Sequence, residues 1–226
     1  SSHVTEELLE RDPRNRLLAR QTRMRMEAEV VRDASLMASG LLSKKMHGPG
    51  VHPPQPEGIY VLTQQKKPWP VEKGLDRFRR ALYTHFWRSS PYPMLVTFDA
   101  SDANTACTRR PRSNTPLQAL TLANDAAFVE MAEGLALRVL EEAPIYPEGR
   151  LREAYHLAFS RDPSQAELDV MLPFIEQQQS QFQSDPKAAA TAAPDDCPKD
   201  VSPIEAATWV AVARVLLNLD EFITRE

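Results

Sequence analysis

Apolar residues recur at helical spacing through much of the chain, and the stretches between are polar or proline-rich. Leu17, Met24, Ala28, Val31, Ala34, Ala38 and Leu41 stand three, four or seven apart, which predicts one long helix over residues 16–42 with a single apolar face. Arg16, Arg20, Arg23, Glu27 and Arg32 fall mostly on its other faces, as a solvated or partner-facing side. Gly40 and then Gly48-Pro49-Gly50 end it. Leu75, Phe78, Leu82, Phe86 and Trp87 predict a second helix over 73–88, stopped by Ser89-Ser90-Pro91-Tyr92-Pro93. Residues 94–98 (MLVTF) are the one convincing strand-like run, and a polar loop follows from Asp99 to Asn114.

The C-terminal half reads as helix from its caps. Thr115-Pro116-Leu117-Gln118 has the form of a capping box with Pro at the first helical position. Asn124-Asp125 ends that short helix and caps the next, which runs to about Glu142 on a stripe of Phe128, Met131, Ala132, Leu135, Val139 and Leu140. A further helix covers 151–159. Ser164-Gln165-Ala166-Glu167 and Ser202-Pro203-Ile204-Glu205 are two more boxes, each opening a helix, and Pro173 should kink the first of these. Residues 177–200 are poor in bulky apolar side chains and predict a mobile loop. The fold class expected is mainly α: one helical, bundle-like domain over 1–226, with long ordered Pro-rich loops and at most one or two short strands.

Proline decides the region between the first two helices. Six prolines fall in residues 47–70, which denies it a continuous helix or a central strand. Yet Val51, Ile59, Tyr60, Val61, Leu62 and Trp69 all favour burial, so the segment reads as an ordered loop laid over the helices.

Composition narrows the function classes. The chain has 226 residues, enough for a real core, and no apolar run approaches the roughly 18 residues of a membrane-spanning helix. Its two cysteines are too few for a disulfide scaffold, and no CxxC, HExxH, GxGxxG or GxxxxGK[ST] occurs. The first residues, SSHVTEELLERD, lack both an initiator Met and the form of a signal peptide, and read as the start of a piece of something longer. Net charge is +7 over residues 1–120 and −11 over 121–226. Oppositely charged halves that dock together explain this asymmetry more simply than a nucleic-acid surface does, and nucleic acid ranks last among the partners.

Six ordered blocks carry a family resemblance: DPRNRLLAR (12–20), EAEVVRDASLMASGLL (27–42), GPGVHPPQPEGIY (48–60), RRALYTHFWRSSPYPMLVTFDA (79–100), RRPRSNTPLQALTLAND (109–125) and ARVLLNLDEFITRE (213–226). The chain resembles the planctomycete-specific domain of unknown function found C-terminal to cytochrome-c-like domains in large periplasmic or cell-surface proteins. That resemblance implies an extracytoplasmic setting and no known catalytic residues. It implies an additional helical stretch before Ser1, and so a truncated or processed domain. It also implies c-type haem, but the chain has no CxxCH, so any haem belongs to a preceding domain and no cofactor to this one.

The densest polar cluster is the loop containing Asp99, Asp102, Asn104, Cys107, Arg109, Arg110, Arg112 and Asn114. Arginines there could grip carboxylate or phosphate, and the two aspartates could orient a sugar hydroxyl or act as an acid/base pair. A blander reading is as concrete: a loop leading into a capped helix must satisfy its own backbone. Trp69, between Pro68 and Pro70, is the best candidate for an exposed sugar-stacking ring, although aromatic stripes are more often core. His47 and His52 flank the Gly-Pro-Gly turn with only Glu57 nearby, too few ligands for a metal site, and His85 and His156 read as satisfied helix residues. Cys107 and Cys197 could form one disulfide, but the position of Cys197 in a flexible segment favours two free thiols. The function expected is therefore recognition of a neighbouring domain, or of a cell-surface protein or polysaccharide. The alternative is a polysaccharide-acting enzyme using the 99–114 loop.

Overall fold

Thr5 accepts a hydrogen bond from the Leu8 amide and opens a short helix, α1 (Glu6–Arg11). In this computed structural model, which describes residues 4–59 and 68–225, the long helix predicted over 16–42 is absent as such. The Asp12 carboxylate takes the amides of Arg16 (2.8 Å) and Leu17 (2.7 Å), and the Arg20 guanidinium takes the carbonyls of Asp12 and Pro13. A side chain that offers amides an alternative acceptor competes with the helix ladder, and here it wins. Asn15 and Leu18 turn left-handed, and Leu17 and Leu18 point into solvent. Strand β1 (Met24–Arg25) follows, paired antiparallel with β2 (Thr224–Arg225) at the other end of the chain. Only then does helix α2 (Ala28–Ala38) begin, burying Ala28, Val31, Leu36 and Ala38. It ends as the sequence predicts, with Gly40 at φ +74 donating to Met37.

The second helix, predicted over 73–88, is also corrected. Two short 3₁₀ helices, Gly74–Phe78 and Ala81–Tyr83, stand in its place, and Leu75 and Leu82 are exposed. Arg32 explains the break. Its buried guanidinium takes the carbonyls of Arg79 (2.7 Å) and Arg77 (3.0 Å), while Asp33 takes the Ala81 amide (2.6 Å). These groups would otherwise serve a helix. The strand expected at 94–98 is instead a short helix, α3 (Pro93–Thr97), with Pro at its start and Met94 and Leu95 buried.

The caps of the C-terminal half hold. The Thr115–Gln118 box opens α4 (Pro116–Asn124), and Asp125 accepts from the Ala127 amide to open α5 (Ala126–Glu142). Helix α6 (Pro147–Phe159) starts a turn before the predicted 151, because Pro147 fits the first helical position. The Ser164–Glu167 box opens α7 (Gln165–Ser184), which runs through Pro173. Arg161 and Ser164 hold the Glu167 carboxyl far down, to about 2, the arginine bond being the larger cause.

The loop expected over 177–200 is mostly helix: the rest of α7, then α8 (Pro186–Ala192), whose Ala189 is fully buried. Its alanines lack bulk, but that lets them pack closely on the next helix, α9 (Pro203–Leu217). Ser202 caps α9 through the Glu205 amide, while the Glu205 carboxylate pairs with the buried Arg150, so the third predicted box is half built. Helix α10 (Asp220–Ile223) leads into β2.

Among the described residues the fold is mainly α, with ten α-helices and a two-stranded sheet. The core centres on α5 against α9, with Leu135, Val212, Leu216 and Leu151 fully buried, and the same apolar cluster extends to α2 and α3. Ion pairs Arg77–Glu130 (2.9 Å) and Arg23–Asp220 (3.0 Å) join the basic half to the acidic half. No helix of the described residues is long and apolar enough to cross a membrane.

Candidate functional site

The 99–114 loop begins where α3 ends. Asp99 has a left-handed backbone (φ +62), which Asp tolerates better than most residues, and its turn sends the chain out from the core. Its carboxylate then closes the loop on itself, accepting from the Ser113 amide (2.8 Å) and hydroxyl (2.9 Å) and pairing with Arg25. From β1, the Arg25 guanidinium also donates to the Ser113 carbonyl (2.7 Å) and lies over the Phe98 ring. Burial lowers its pKa below the ordinary arginine value, and Asp99 opposes that. The buried Gln118 amide completes the neck, donating to the Thr97 carbonyl (2.9 Å) and the Ser113 hydroxyl (3.1 Å).

Beyond this neck the loop stands in solvent. Asp102 accepts from the Asn104 amide (3.1 Å), a local turn that leaves its carboxylate exposed, and Asn104, Cys107, Arg109 and Asn114 are exposed too. Arg110 reaches Glu29 on α2 (2.7 Å), and this hydrogen bond raises its pKa. Arg112 lies 3.6 Å from Glu27 and donates to the Met24 sulfur. Between the loop and these residues lies an open depression of about 920 Å³, lined by Met24, Glu27 and residues 107–112. Chemically it offers the exposed Arg109 beside Arg110 and Arg112, which pair with Glu29 and Glu27, on a loop whose base is fixed.

The predicted site residues thus divide. Asp99 is part of the neck, Asp102, Asn104, Arg109, Arg110 and Arg112 share the outer loop, and the exposed Asn114 follows the neck residue Ser113. Trp69 belongs to a different cluster: its indole donates to the Pro53 carbonyl (2.7 Å) and stacks on Tyr92 at 5.8 Å, half-buried against the core. Both cysteines are free thiols. Cys107 is exposed, and Cys197, whose pKa burial raises, sits between α8 and α9. Among the described residues no three of His, Cys, Asp and Glu gather as a metal group. The His47 carbonyl accepts from Arg79, and His52 packs on His85. Tyr60, Val61 and Leu62, expected to be buried, lie outside the described residues.

Sequence reasoning missed Arg25, Ser113 and the second role of Gln118. Arg25 falls inside the stretch expected as one long helix, and nothing local marks a residue whose partner lies 74 positions away. The family described as PSD1, protein of unknown function (DUF1553), matches residues 1–175. The chain belongs to it. The PSD1 match takes in the whole neck and outer loop but stops within α7, short of the C-terminal block at 213–226. No curated protein and no solved structure matches the chain.

Proposed function

We propose that this chain is a non-catalytic recognition module whose outer loop, residues 101–112, binds carboxylate groups on a neighbouring domain or a cell-surface polymer. The observation that carries the reading is the contrast within the loop. Its base is locked by Asp99, Arg25, Ser113 and Gln118, while beyond it Arg109 is exposed and Arg110 and Arg112 line an open depression beside Glu29 and Glu27. Fixing the base lowers the entropy lost when the arginines engage a partner, which is how preorganisation increases affinity. Arg110 and Arg112 already face Glu29 and Glu27, so they are practised in carboxylate geometry and can exchange one carboxylate for another.

The setting proposed with it is an extracytoplasmic planctomycete protein in which cytochrome-c-like domains come first and carry any haem. The six blocks of sequence resemblance support that setting. Asp99 suits an anchor better than a catalytic acid, since both its oxygens are occupied by Ser113 and Arg25.

Titration with polygalacturonate, a polymer of carboxylates, tests the reading by calorimetry. The triple variant Arg109→Ala/Arg110→Ala/Arg112→Ala should bind about tenfold or more weakly, since each charge-assisted contact contributes about 1.5–3 kcal/mol. Its melting temperature should stay near that of the parent, because the neck is untouched. Equal binding by parent and variant, or no binding by the parent, would overturn the proposal.

A further inference from the structure

The Pro-rich segment meets residues 83–85 through a short bridge at Val51, beside side-chain bonds from Arg79, Trp69 and Tyr92 to the carbonyls of Pro49, Pro53 and Pro54. The Val51 amide donates to the Tyr83 carbonyl and the His85 amide donates to the Val51 carbonyl, both at 2.7 Å. The bridge lays the next side chain, His52, onto His85, with ring centroids 4.7 Å apart and planes at 33°. Trp69 closes edge-on against His52 at 4.8 Å, and Trp87 against His85 at 4.6 Å. Among the described residues neither His85 Nε2 nor His52 Nδ1 has a hydrogen-bond partner.

The charged and titratable neighbours are few. Glu72 donates its amide to the His52 carbonyl (3.0 Å) and sets its carboxylate 3.6 Å from His52 Nδ1. Tyr92, behind Trp69, stays neutral because burial raises its pKa. Arg79 lies over Tyr83 and binds the carbonyls of residues 45, 47 and 49. Thus one carboxylate lies beside His52, and the Arg79 guanidinium is engaged by the Tyr83 ring and backbone carbonyls. Nothing among these groups offers an acceptor to a proton on His85 Nε2.

We propose that the His52–His85 pair is an acid-sensitive latch on the Pro-rich segment, closed while both rings are neutral and released when His85 takes a proton. An imidazolium in this wall of rings would be a desolvated cation facing a second imidazole, and opening the bridge restores its water. Burial, with His52 adding to it, lowers the His85 pKa below its ordinary value of 6.5. The open state therefore binds the proton more tightly than the closed one. Closure is at full strength above pH 6.5 and weakens as pH falls below it toward the lowered value.

Hydrogen exchange at the Val51 and His85 amides, corrected for intrinsic rates, reads the latch directly. Protection should fall as pH drops below the ordinary histidine value and level off once His85 titrates in the closed state. The α5 amides should keep theirs. His85→Gln should remove the pH dependence, whereas His52→Gln should keep it, since burial of His85 outranks its neighbour. Should His85→Gln fail to close at any pH, an NMR titration of the His85 ring in the parent chain still decides. A midpoint below 6.5 supports the latch, and one at or above it overturns it. Constant protection in the parent, or an equal fall in His85→Gln, would overturn it as well.

Discussion

Helix α9 and the segment around Arg79 are both buried, by opposite means. Around α9 the contacts are apolar: Trp209, Val212, Ala213, Leu216 and Leu217 pack against α5, α7 and α8, and the helix bonds satisfy the backbone internally. Around Arg79 the backbone is irregular, and long cations satisfy it from outside. Arg32 binds the carbonyls of 77 and 79, and Arg79 those of 45, 47 and 49. Buried carbonyls need donors, and arginine supplies five in a fixed plane. The chain thus joins a helical half built on apolar faces to a half of loops pinned by arginines.

The sharpest way to break this contrast is Trp209→Ala. The ring is nearly fully buried on α9, with the Arg150 guanidinium 5.9 Å from its centre. Truncation should cost about 3–5 kcal/mol by removing contacts and leaving a cavity. Urea unfolding should show a midpoint shift of matching size. A loss below about 1 kcal/mol would mean that α9 is not the packing centre of the helical half.

The same contrast explains what the sequence made legible. Ser164, Asp125 and Thr115 announced their helices because a cap acts within three residues, and periodicity marked α5 because its apolar stripe is its own record. The failures lie where a distant or polar partner overrides the local pattern. Leu17 and Met24 fit a helical stripe, but Asp12 captures the amides that would continue it. Residues 73–88 have helical spacing, but Arg32 takes their carbonyls. Residues 177–200 erred in the other direction, since small side chains resemble a linker and in fact allow close packing. For the candidate site, the outer arginines were legible from local density, and the neck was not, because Arg25 and Asp99 are joined only by the fold.

Asp99→Asn tests the polar half as Trp209→Ala tests the apolar one. It keeps a residue that tolerates the left-handed backbone and removes the charge facing the buried Arg25. Breaking a buried pair from one side leaves the other charge uncompensated, so the loss should be about 3 kcal/mol. The effect should also be local, with faster exchange at the Ser113 and Ala100 amides and unchanged protection in α5. Uniform loss across both regions would show that the loop neck and the helical core unfold as one unit.

The smallest effect expected is the most diagnostic for the N-terminal stretch. Leu17 is 78% exposed, on a turn held by Asp12, although its spacing places it on the apolar stripe of a helix. Were that helix real, Leu17→Ser would remove a buried leucine and cost about 2 kcal/mol or more. On the observed turn it removes a side chain that touches mostly water, so unfolding should shift by less than about 0.5 kcal/mol. Asp12→Ala is the paired measurement. It frees the amides of Arg16 and Leu17 and should cost more than Leu17→Ser, an inversion of the order that a helix over 16–42 demands.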